Sequence, residues 1–247
     1  MALQQEFEQQ GNWLFKYRGQ VPVVLLIAQL IVFYWQISVS SLPFEDPLNW
    51  NLLCLAICMV GQIIRIMVIG FTPKNTSGRN TKEQVADVVN QTGIYSVVRH
   101  PLYLGNFFMW LGVAMISQNI AFIVIFALAF WIFYERIMYA EEQFLTRRFG
   151  AVYAAWAERV PAFIPRFHGW VSSPAEFSFR NILKRESVGF FNVFLVFWIF
   201  SAALNWIKKQ SFETNDPWFV ALIAVTILTL IIYVIRKNTN LLTVEGR

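Results

Sequence analysis

Long apolar runs, separated by short polar tips and two longer polar loops, set the pattern of the chain. Six stretches carry it: 21–39, 50–70, 102–117, 120–139, 188–207 and 217–235. A helix crossing the hydrocarbon core of a bilayer needs roughly 20 mostly apolar residues. The pattern therefore predicts an all-α, multi-pass transmembrane protein of about six helices. Residues 102–139 read as a tight hairpin with Ser117-Gln118-Asn119 at its tip. Its first arm is short, because fifteen helical residues rise only about 22 Å against a core of roughly 30 Å. Its cytoplasmic end is expected below the membrane surface. Residues 140–158 have Phe144, Leu145, Val152, Tyr153 and Trp156 on one side and Glu141, Gln143 and Arg147 on the other. That pattern predicts an in-plane interfacial helix, ended by the prolines of the segment 160–167. A second short helix is expected from Thr81 to Asn90, with Thr81 as its cap. The chain then divides into an N-terminal helix pair (1–70), a core with the polar loops and the first hairpin (71–187), and a C-terminal hairpin with its tail (188–247).

Composition supports the membrane class. Of 247 residues, 57% are hydrophobic and 14% charged, where soluble domains have about 45–50% and about 25%. The basic residues are unevenly placed. Loops 71–100 and 140–187 hold Lys74, Arg79, Lys82, Arg99, Arg147, Arg148, Arg159, Arg166, Arg180, Lys184 and Arg185, while the opposite tips offer Lys208 and Lys209 beside Glu45, Asp46, Glu213 and Asp216. The positive-inside rule puts both long loops, and with six crossings both termini, in the cytoplasm. The bilayer expected is a bacterial inner membrane or the endoplasmic reticulum. The net charge of +5 is a topology signal, and nucleic-acid binding is not expected. The first run follows Glu6, Glu8, Lys16 and Arg18 and shows no small-residue cleavage site, so it is expected to be a retained helix. Cys54 and Cys58 share a helix face and read as buried thiols, with no metal site implied.

Charge within a membrane protein marks candidate chemistry. Arg65 lies within two turns of the cytoplasmic end of its run, where snorkelling accounts for it. Glu135 and Arg136 end the fourth run and are followed by Glu141 and Glu142. Arg136, at the membrane edge, is a candidate to orient an anionic head group. Just before the first hairpin stands Arg99-His100-Pro101-Leu102-Tyr103-Leu104-Gly105. Proline at the first helical position starts a helix without wasting a donor. The free N–H groups of that turn attract an anion, and Arg99 and His100 add charge there. Gly105 leaves room for close approach one turn later.

These residues belong to a longer array. Tyr95 precedes Arg99 to Gly105; then come the hairpin, Glu141-Glu142, Leu145, Phe149-Gly150, Tyr153, and Val160-Pro161 with Pro165. Over about residues 80–166 this array resembles the isoprenylcysteine carboxyl methyltransferase family and, more loosely, the phospholipid methyltransferases. The resemblance implies S-adenosylmethionine as cofactor, approaching from the cytoplasmic side. It implies cofactor contacts at Tyr95, Arg99, His100, Pro101, Tyr103, Leu104, Gly105 and Glu142, and a role for Glu141 in the reaction, with Arg136 added for its charge at the membrane edge. The cofactor's carboxylate suits the helix start with Arg99 and His100, its ammonium suits Glu141 or Glu142, and its sulfonium suits aromatic faces such as Tyr95 or Tyr103. The acceptor implied is an anionic group of a membrane lipid or lipid-bearing molecule, either a phosphate such as that of lipid A or a prenylcysteine carboxylate. Two alternatives stay open: a nicotinamide-dependent membrane reductase of an isoprenoid or sterol, and a non-catalytic membrane protein of the same fold. Leu102 and Asn106 stand where such reductases tend to show Asn and Asp.

Overall fold

In the computed structural model, residues 2–39, 42–44, 46–73 and 84–244 are described. Among them the regular structure is helical. α1 (Leu3–Tyr17) precedes α2 (Val21–Val39), α3 (Pro47–Phe71), α4 (Pro101–Met115), α5 (Ile120–Phe149), α6 (Ala151–Ala157), α7 (Phe179–Lys209) and α8 (Pro217–Asn238). A single 3-10 turn, Gly93–Ser96, lies ahead of α4. Five helices, α2, α3, α5, α7 and α8, are long and apolar enough to cross a membrane, and α4 is a shorter apolar helix. The chain is a multi-pass helical membrane protein, with α4 as short as its sequence requires.

Local chemistry sets the helix ends. Asp46 and Asp216 cap α3 and α8 by accepting from backbone N–H groups of the first turn, each just before a proline. Asn119 caps α5 by accepting from Phe122 N at 2.9 Å. These are the side chains that satisfy otherwise unpaired donors at a helix start. The tip residue Gln118 takes a positive φ of 54° and its side chain accepts from Phe44 N at 2.8 Å.

Three expectations change. α5 runs unbroken through the charged residues to Phe149, so the expected in-plane helix over 140–158 is divided. Residues 140–149 continue the long helix, and only Ala151–Ala157 form a separate turn. Charge does not stop a helix, and the first breaker is Gly150, at φ 54°. Residues 84–90 form no helix; the rest of the helix expected from Thr81 lies outside the described residues. α1 was not foreseen. It packs its Phe15 into the core of α5 beside Tyr134, Ile137 and Met138.

Packing is tightest between α3 and α4. A Cβ on Gly105 would sit 2.9 Å from the carbonyl oxygen of Gly61 and 2.8 Å from the Arg65 side chain. Trp50 Nε1 donates to Met115 O at 2.8 Å at the far end of the same pair. α7 joins this pair. Asn181 Nδ2 donates to Ile69 O at 2.8 Å, and Phe197 and Phe200 pack with Cys54, Cys58 and Val113. The outer faces of α2 and α8 present Val24, Ile27, Ile31, Ile223, Ile227 and Leu230 to the surroundings, as lipid-facing helices do.

Candidate active site

The site is built where α4 begins. The backbone of the segment before it is clamped by the proline-rich stretch after α6. Arg99 N donates to Pro161 O at 2.9 Å, His100 N to Ala162 O at 3.1 Å, and Arg166 N to Val97 O at 2.9 Å. The Val-Pro segment 160–165 therefore fixes the Arg-His-Pro turn in space. Pro101 then starts the helix, and His100 and Tyr103 stack one turn apart, with ring centroids 5.6 Å apart and planes inclined by 17°.

Glu141 and Glu142 reach this turn from the last third of α5. Glu142 Oε1 lies 2.9 Å from His100 Nε2 and 3.0 Å from an Arg99 Nη. Glu141 Oε2 accepts from the Tyr103 hydroxyl at 3.0 Å and stands 3.6 Å from His100 Nδ1. Burial alone would push the His100 imidazole down, but the two carboxylates outweigh it and hold the ring protonated above its ordinary range. Arg99 also donates to the carbonyl of Ala157 at 2.6 Å, at the end of α6 where a cation is favoured. Arg99, His100 and Glu142 thus form a compact ion cluster that ties α4, α5 and α6 together.

In front of this cluster is a cavity of about 350 Å³, within the range of small-molecule sites. Its lining includes Tyr95, Arg99, His100, Pro101, Tyr103 and Glu141. Glu141 is one-third exposed. The buried Tyr153 hydroxyl has no partner among the described residues, and burial pushes Tyr95 and Tyr153 above their ordinary range, so both stay neutral. Trp156 donates from Nε1 to Tyr95 O at 3.2 Å, placing an indole in the wall.

Among the residues expected from sequence, Tyr95, Arg99, His100, Pro101, Tyr103 and Glu141 meet at the cavity. Glu142 stands behind them, on the ion cluster. Leu104 is buried against Val97 and Val98, and Gly105 faces α3 across the tight seam; neither lines the cavity. Arg136 also lies away from it. Its guanidinium rests 3.4 Å over the Phe7 ring of α1 and pairs with Glu135 at 3.1 Å, so it fastens α1 to α5.

Other polar residues in the wall were missed or misjudged. Arg65 does not simply snorkel. Nε and one Nη donate to the two Glu186 oxygens at 2.8 Å each, and the other Nη donates to Asn106 Oδ1 at 2.6 Å. Glu186 also accepts from Gln62 at 3.1 Å, and Asn106 Nδ2 donates to the Tyr134 hydroxyl at 3.3 Å. Arg18 and Arg185 complete the basic lining. The sequence signal for Arg65 was its position inside an apolar run, which is costly without a partner.

Comparison with known proteins bears on the same stretch. Residues 50–152 match the family model described as phospholipid methyltransferase. The chain is 32% identical to a protein-S-isoprenylcysteine O-methyltransferase of Tribolium castaneum, over 52% of this chain and 46% of the relative. It is 31% identical to the Saccharomyces cerevisiae protein of that name, over 52% of this chain and 54% of the relative. It is 39% identical to a nickel-cobalt-cadmium resistance protein of Alcaligenes xylosoxydans xylosoxydans, over 36% of this chain and 39% of the relative. The chain spans about half the length of these relatives or less. No solved structure matches. The Arg-His-Pro turn, the hairpin and the paired glutamates all fall inside 50–152, the stretch that matches the phospholipid methyltransferase model and is similar to the isoprenylcysteine O-methyltransferases.

Proposed function

We propose that this protein is an S-adenosylmethionine-dependent membrane methyltransferase acting on an anionic group, phosphate or carboxylate, of a lipid or lipid-bearing molecule. The observation that carries the reading is the convergence of Tyr95, His100, Tyr103 and Glu141 on one cavity within the family-matched stretch. The residues present fit that cofactor. Glu141 offers a carboxylate to an ammonium, Tyr95, Tyr103 and Trp156 offer ring faces to a sulfonium, and the unpartnered Tyr153 hydroxyl offers a hydrogen bond to a polar group.

When bound, the cofactor supplies an electrophilic methyl group: the acceptor oxygen forms the new bond to carbon, and the electron pair of the broken bond returns to sulfur. An ionised acceptor needs no general base. The protein's part is positioning and water exclusion, and proximity alone can supply about 7–11 kcal/mol. His100 and Glu142 hold the α4 start rigid, so that Tyr103 and Glu141 keep their places. Arg136 fastens α1 to α5 away from the cavity, and no part in the reaction is assigned to it.

Calorimetry on the purified protein tests the cofactor, and mass spectrometry of lipids from cells with and without the protein tests the acceptor. Binding of S-adenosylmethionine and its demethylated product is expected, with one lipid species shifted by a methyl mass. Binding of NADPH with no response to S-adenosylmethionine would replace this reading with a reductase.

A further inference from the structure

Among the described residues, four arginines line the cavity, Arg18, Arg65, Arg99 and Arg185, against a single glutamate, Glu141. Arg99 pairs with Glu142 and donates to Ala157 on the ion cluster, and its buried Nε has no partner among the described residues. Arg65 is held differently. Its bidentate pair with Glu186 fixes the guanidinium plane, and Asn106 takes one further N–H. A guanidinium has five N–H donors. Three are used, which leaves two N–H groups of a cavity-lining side chain uncommitted among the described residues.

The rest of this wall is ordered by charge. Glu141 bonds Tyr103, the Tyr103 and Tyr134 rings lie 4.9 Å apart, Tyr134 bonds Asn106, and Asn106 bonds Arg65. This path, with Tyr134 behind the cavity lining, runs from an acidic end at the Glu141 carboxylate, beside His100, to a basic end at the Arg65 guanidinium. A cation belongs at the acidic end and an anion at the basic end. Arg65 sits on α3, one of the helices apolar enough to cross a membrane, where a fixed cation is a functional mark.

We infer that Arg65, fixed by Glu186 and Asn106, binds the acidic oxygens of the acceptor head group. This deepens the proposed function and rests on it. The ligand chemistry is an acidic oxygen on an isoprenoid or acyl chain, from a phosphate or from a carboxylate.

The test uses the full chain in nanodiscs of zwitterionic lipid, with three probes: farnesyl phosphate, N-acetyl-S-farnesylcysteine and uncharged farnesol. Binding is read by calorimetry, and S-adenosylmethionine is titrated separately. The wild type should prefer at least one anionic probe over farnesol by about tenfold or more, as expected for hydrogen bonds to a charged group. The preferred probe tells phosphate from carboxylate. Arg65→Gln should abolish the preference while leaving farnesol and S-adenosylmethionine affinities within about threefold. Arg65→Lys should restore part of it. Asn106→Asp places a carboxylate against the guanidinium without touching the Glu186 pair, and should also abolish the preference; it serves if Arg65→Gln does not fold. An anion preference that survives in a folded Arg65→Gln or Asn106→Asp protein overturns the inference, as does a wild type that ranks both anions with farnesol. An equal loss for all ligands in Arg65→Gln, including the cofactor, would mean that Arg65 only ties α3 to α7. Failure of the wild type to bind S-adenosylmethionine would defeat the proposed function, whatever Arg65 does.

Discussion

His100 shows how a single side chain can carry the site's pH dependence. Its ring is almost wholly buried, and both nitrogens face carboxylates. Its folded pKa lies above the ordinary 6.5. The stability it contributes is therefore fully present below that ordinary value, and is lost as pH rises through the raised one. Melting of the purified protein should show an alkaline fall in stability that is absent in His100→Gln. That variant should itself be less stable at neutral pH by about 1.5–3 kcal/mol, the usual worth of a hydrogen bond to a charged group. Parallel melting profiles for the two proteins would remove His100 as the titrating group. At this scale the sequence told most about residues close together in the chain. Tyr95, His100 and Tyr103 lie within nine residues of one another, and Glu141 lies on the next helix, so a local motif could announce them. Arg65, Asn106 and Glu186 could not be joined that way. They lie on three helices, with Glu186 separated from Arg65 by 121 positions, and only packing brings them together. Arg136 misled for a related reason. Its charge at a membrane edge was visible, but its partner, the Phe7 ring, comes from a helix with no long apolar run to announce it.

At the scale of elements, the apolar runs gave the spans well because hydrophobic length is what the bilayer selects. Ends marked by a capping residue or a breaker were more legible than ends inferred from charge. The α5 terminus is the instructive case: Glu135, Arg136, Glu141 and Glu142 marked an interface, but the helix ran through them to Gly150. α1 was hidden because its apolar positions are spread at helical spacing among glutamines and charges, the pattern of a surface helix rather than a span. Gly105 gives the sharpest element-level prediction. From sequence it offered a ligand close approach to the backbone; the structure fills that space with α3. Gly105→Val should therefore overpack the α3–α4 seam and destabilise the protein by about 1–3 kcal/mol. Because the added carbon would press on the Arg65 side chain, the Arg65–Glu186 pair should shift with it. A melting temperature equal to wild type would show that the seam can open without cost.

Across the whole molecule, the helix hairpins sort the polar residues to two ends. Phe44, the Ser117–Asn119 tip and the 210–216 turn fall at one end, while the start of α4, the ion cluster, α6 and the start of α7 fall at the other. Arg99, Arg147, Arg148, Arg159, Arg166, Arg180, Lys184 and Arg185 all belong to the second group, the end that carries the cavity's ion cluster. Because Lys and Arg excess fixes orientation, this end should face the cytoplasm, where a soluble cofactor is made and the cavity can be filled without crossing the bilayer. The native thiols, Cys54 and Cys58, are fully buried, so a cysteine added at an exposed position can report alone. Phe212→Cys lies in the far turn, while His168→Cys and Arg180→Cys lie near the site, and all three positions are exposed. In intact cells a membrane-impermeant maleimide should label Phe212→Cys, and should reach the other two only after permeabilisation. Labelling of His168→Cys or Arg180→Cys in sealed cells would invert the topology and put the cavity on the wrong side for a cytosolic cofactor.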